Sequence, residues 1–84
     1  MSMTAYGEVL AKLMAEHGIS LDELAKLSGE AGYPFTSEVA EGHMRDRHYH
    51  LGDRNVVVGP AEVFNLGTED RVALATAYLF DTIG

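Results

Sequence analysis

The twelve residues HMRDRHYHLGDR, His43 to Arg54, hold three of the chain's four histidines and three of its four arginines. Side chains of these types do two kinds of chemistry: neutral imidazoles bind transition metals, and guanidinium forks grip phosphate or carboxylate oxygens in pairs. On a strand, His48 and His50 would point to one side, and His43 with Asp46 or Asp53 could complete a ligand set. That spacing matches no zinc signature, so His43, His48 and His50 read first as structural or solvent-facing groups and only second as metal ligands. The expectation is no bound metal and no cofactor. Arg45, Arg47 and Arg54 remain as a phosphate clamp, or else as a solvated surface paired with Asp46, Asp53 and nearby glutamates.

Charge gives the arginines their weight. The 84 residues carry a net charge of −7, which opposes general attraction to nucleic acid or an anionic membrane. Residues 1–42 set two lysines against seven acids, and residues 55–84 set one arginine against four; only 43–54, with three arginines and two acids, is not acidic. Hydrophobic residues make up 46% of the chain, enough for one folded domain with a modest core. With no cysteine there is no disulfide, thiolate cage or cysteine nucleophile. The start MSMTAYGEVL lacks the basic and apolar regions of a signal peptide, and no later stretch is apolar enough to cross a bilayer, so a cytoplasmic protein is expected.

The elements that must position this stretch are helical. Tyr6, Val9, Leu10, Leu13 and Met14 form one stripe over about 4–17, and Gly18 suits its end. Ser20 with Glu23 three residues on is a capping-box pattern opening a second helix over about 21–28, closed by Gly29. The breaker cluster GEAGYPF follows, then a third helix over about 36–44 capped by Thr36 or Ser37. Beyond it, RHYHL and VVV flank GDRN, which fits a small β-hairpin over about 47–58. The rival reading caps a helix with Asn55, but Gly59 and Pro60 would stop that helix after one turn; Pro60 better suits the first position of a helix over about 60–66. A last helix over about 68–81 opens on Thr68, Glu69 and Asp70. Its run VALATAYLF is apolar nearly all round, so it is either central or partnered, and Tyr78, Leu79 and Phe80 are the expected homodimer contact. The fold class is mainly α, four to five short helices in one domain.

The residues YGEVLAKLMAEHGISLDELAKLSG resemble the first two helices of lambda-repressor-like (Cro/C1, XRE-family) helix-turn-helix domains. The likeness rests on Gly18, Ile19, Ser20, Glu23, Leu24, Ala25, Ser28 and Gly29, with Ser37, Val39 and Gly42 in the places of the third helix. The closing VFNLGTEDRVALATAY is similar to the last helices of such domains. Leu21 stands where the family commonly has glutamine, the turn is slightly longer than usual, and residues 36–44 carry no lysine or arginine. The resemblance implies a DNA-binding regulator acting as a homodimeric repressor. Its third helix would enter the major groove and place Thr36, Ser37, Glu38 and Glu41 against base edges. Arg45, Arg47 and Arg54 would then supply the phosphate contacts that two glutamates oppose. The alternative is a protein-interaction module on the same scaffold that has lost DNA binding and docks its acidic helices onto a basic partner.

Catalysis is not expected. The adjacent carboxylates Asp22–Glu23 and Glu69–Asp70 sit at helix starts, where the helix dipole accounts for them. Ser28 and Ser37 form no triad motif with the histidines. The glycines at 29, 32 and 42 lack the lysine of a phosphate-binding loop.

Overall fold

Five α-helices, α1 (Ala5–His17), α2 (Leu21–Glu30), α3 (Ser37–Arg45), α4 (Asn55–Val63) and α5 (Thr68–Ile83), follow one another in a computed structural model that describes residues 3–45 and 54–83. The mainly helical expectation holds, and no strand occurs among the described residues.

Helix starts follow the local code closely. Thr4 Oγ1 accepts the Gly7 N–H at 2.9 Å to open α1, and Ser20 Oγ accepts the Glu23 N–H at 3.2 Å to open α2. Thr36, rather than Ser37, caps α3, its hydroxyl oxygen accepting the Val39 N–H at 3.1 Å. At α5 the Gly67 carbonyl accepts the Arg71 N–H, so Gly67 is the cap and Thr68 the first helical residue.

Three helix ends share one device, in which a left-handed residue lets the two N–H groups beyond the helix reach back to its last carbonyls. Gly18 (φ 66°) does this for α1: Ile19 N–H reaches Met14 O and Gly18 N–H reaches Ala15 O. For α2 the residue is Gly32 (φ 96°), with Tyr33 N–H on Ser28 O and Gly32 N–H on Gly29 O. Gly29 was the expected stop; the helix instead runs through it to Glu30, because the left-handed turn falls three residues later. Asn65 (φ 51°) repeats the pattern after α4, with Leu66 N–H on Ala61 O.

The fourth helix departs most from expectation. It begins at Asn55, so residues 56–58 are helical and cannot be a hairpin strand; the rest of the hairpin, 47–53, lies outside the described residues. Pro60 lies inside the helix rather than at its start. A proline has no N–H, which leaves the carbonyl four residues earlier without its helical donor. That carbonyl belongs to Val56, and the buried Tyr6 hydroxyl of α1 donates to it. Gly59 serves packing: a Cβ there would collide with the Ser28 side chain of α2, so the missing side chain lets the two helices close up.

The core gathers Tyr6, Leu10 and Leu13 of α1, Leu24 of α2, Ala40 and Met44 of α3, Val56 and Ala61 of α4, and Leu74 and Tyr78 of α5, with Phe64 and Leu66 from the link between the last two. Helix α1 packs on α5 and α3, while α2 packs on α4 and α3. Helix α3 is therefore seated against both pairs. No helix among the described residues is long and apolar enough to cross a membrane.

Candidate nucleic-acid interface

Helix α3 is nine residues long and has two distinct sides. Ala40, His43 and Met44 face inward and are buried. Thr36, Glu38, Glu41 and Arg45 are exposed and Ser37 is half-buried, so the expected contact residues on this helix share solvent access. The Thr36 hydroxyl is already engaged in its capping bond.

Arg45 lies one turn after Glu41, with a guanidinium nitrogen 3.9 Å from the carboxylate and both side chains largely exposed. Such a pair is loose and easily exchanged for a stronger acceptor. Arg54 is also exposed and precedes α4. The next residue, Asn55, donates from Nδ2 to Pro34 O at 2.8 Å, tying the start of α4 to the turn that leads into α3. Arg54 thus precedes the asparagine that holds Pro34, and Arg45 closes α3. Arg47 lies outside the described residues, as do His48 and His50.

His43 proves to be a core residue, 4% exposed. Its ring meets Tyr78 at 5.1 Å and Tyr6 at 6.2 Å between centroids, both edge-on, and Tyr6 meets Tyr78 at 5.6 Å. This three-ring cluster joins α1, α3 and α5, an arrangement that favours edge-to-face contact. It turns His43 away from the surface role that a metal ligand beside His48 and His50 would need. Among the described residues, no group of three or more His, Asp or Glu side chains could hold a metal ion.

Tyr78 belongs to the same cluster and is 7% exposed, which corrects its expected place in a dimer contact: α5 turns Leu74, Ala77, Tyr78 and Asp81 inward. Its neighbours Leu79 and Phe80 do face outward, 57% and 60% exposed, in line with Val72 at 58%. Elsewhere, a shallow depression of about 290 Å³ between α1 and α5 is lined by Val9, Lys12, Leu13, Glu16, Asp70 and Ala73. It borders neither α3 nor Arg54, and it brings together no nucleophile and base.

Two residues outside the expected set hold the ends of α3 and α1 from behind. Thr4 reaches the end of α3, and Asp81 at the end of α5 accepts the N–H groups of Ala5 (3.1 Å) and Tyr6 (2.8 Å). The threonine had a sequence signal only as a local helix cap, and the buried aspartate had none.

Comparison with protein-family models, with curated proteins and with solved structures finds no match.

Proposed function

We propose that this chain is a small cytoplasmic regulator of the lambda-repressor-like helix-turn-helix kind, which binds duplex DNA and acts by occupancy rather than by catalysis. The observation that carries the reading is the disposition of α3: buried on one side by Ala40, His43 and Met44, and offering Glu38, Glu41 and Arg45 on the other. An α-helix with its side chains is about 10–12 Å across, which fits the ~12 Å width of a major groove. Arg45, exposed at the end of α3, and Arg54, exposed just before α4, would supply phosphate contacts beside that groove. Glu38 and Glu41 can accept from cytosine amino groups, and the arginines offset their repulsion from phosphate. A homodimer, formed through the outward Leu79 and Phe80 of α5, would present two such helices to a two-fold operator.

Selection of bound sequences from a random duplex pool tests this reading. Enrichment by the native chain, lost when Arg45, Arg47 and Arg54 are all changed to alanine, is the expected result. No enrichment at low salt defeats the DNA reading, and enrichment that survives the triple change defeats the assignment of the clamp.

One observation favours a second reading, a protein-interaction module: the acidic pair on the outward side of α3, with Arg45 lying against Glu41. Under it, duplex selection fails, and a library of lysine-rich peptides yields binders that the double change Glu38→Gln, Glu41→Gln abolishes.

A further inference from the structure

Helix α3 finishes at Arg45, the last described residue before position 54. The last carbonyls of any helix lack internal donors. Here they are met from the far end of the sequence. The Thr4 N–H donates to Met44 O at 2.9 Å, and the Thr4 hydroxyl lies 2.8 Å from His43 O and 3.0 Å from Met44 O. The same hydroxyl oxygen accepts the Gly7 N–H, so one side chain caps the start of α1 and the finish of α3. Thr4 is 5% exposed, and Gly7 makes room: a Cβ there would strike the Met44 carbonyl. Asp81, 4% exposed, fixes the next two backbone amides and so holds Thr4 in place.

We propose that Thr4 is a positioning residue for the nucleic-acid interface, setting the exit of α3 and with it the direction in which Arg45 leaves the helix. This inference rests on the DNA reading above. Without the Thr4 hydroxyl, His43 O loses its buried donor and Met44 O keeps only the Thr4 N–H, so the last turn of α3 loosens and Arg45, the first residue beyond those carbonyls, loses its fixed origin.

The test compares Thr4→Ser, which keeps the hydroxyl, with Thr4→Val, which keeps the shape, each in the native and the Arg45→Ala background. Affinity is read on a duplex enriched by the native chain, across a salt series. Thr4→Ser should bind within about twofold of native, and Thr4→Val about tenfold weaker, a loss on the scale of one buried hydrogen bond. Thr4→Val should also lower the salt slope by about one phosphate contact and have no further effect once Arg45 is alanine. Should Thr4→Val fail to fold, Thr4→Asp keeps an acceptor for Gly7 while offering no hydrogen to His43 O or Met44 O, and takes its place. Native-like binding by Thr4→Val, or an equal loss in both backgrounds, overturns the inference and leaves the DNA reading intact. A native chain that enriches no duplex brings down both.

Discussion

The two ends of α3 are held by different means. The entry is secured in the open, locally by the Thr36 cap on Val39 and from the start of α4 by the exposed Asn55 bond to Pro34. The exit is secured remotely and in the interior, by Thr4, which reaches across about forty positions of sequence and is itself braced by Asp81. A hydrogen bond exposed to water is partly replaceable by water; one in the interior leaves an unmet carbonyl when it is removed. The exit should therefore be the more costly end to disturb, and the entry the more tolerant.

Gly7→Ala should break the exit most severely. The added methyl meets backbone rather than a flexible side chain, so α1 and α3 must separate, at a cost of about 3 kcal/mol. In a chain of this size that lowers the melting temperature by roughly 12–24 °C in calorimetry. A shift of only a degree or two would show that the close approach is dispensable.

Asp81→Ala comes next. It strips two N–H groups of a buried carboxylate acceptor and should cost about 2 kcal/mol in denaturant unfolding, with faster amide exchange at Ala5 and Tyr6. Unchanged exchange at those amides would remove Asp81 from the brace. Tyr6→Phe should cost a similar or slightly smaller amount, about 1–2 kcal/mol, because the Val56 carbonyl then has neither Pro60 nor Tyr6 as donor.

At the entry, Thr36→Ala should cost about 1 kcal/mol, the usual value of an N-cap. Asn55→Ala should cost the least, about 0.5 kcal/mol, because Pro34 O is open to solvent. An entry variant more damaging than Gly7→Ala in the same melting assay would invert the contrast.

The same division between local and remote decides what the sequence disclosed. The starts of α2 and α3 were legible because Ser20 and Thr36 each act within three residues, whereas Thr4, expected as the first residue of the first helix, caps it instead. Glu38 and Glu41 were expected on the outward side of the third helix, and both are exposed there. Pro60 misled because its compensation comes from Tyr6, fifty positions from Val56, and no window of neighbours contains it. Tyr78 misled in the opposite direction: within an apolar run it looked like its exposed neighbours Leu79 and Phe80, and only the placement of Tyr6 and His43 draws it inward. The histidines of the central stretch invited a ligand reading, yet His43 is recruited by two aromatic rings from other helices.

The Tyr6 hydroxyl on Val56 also bears on how far α4 depends on the rest of the molecule. Helix α4 contains a proline that interrupts its own bonding ladder, and the missing donor arrives only when α1 lies alongside. A peptide spanning 54–66 alone should remain coil in circular dichroism, whereas one spanning 3–18 should show helix near 0 °C, since its bonding ladder is uninterrupted. Helix α4 is then a conditional element, one whose bonding ladder is completed by a neighbouring helix rather than from within.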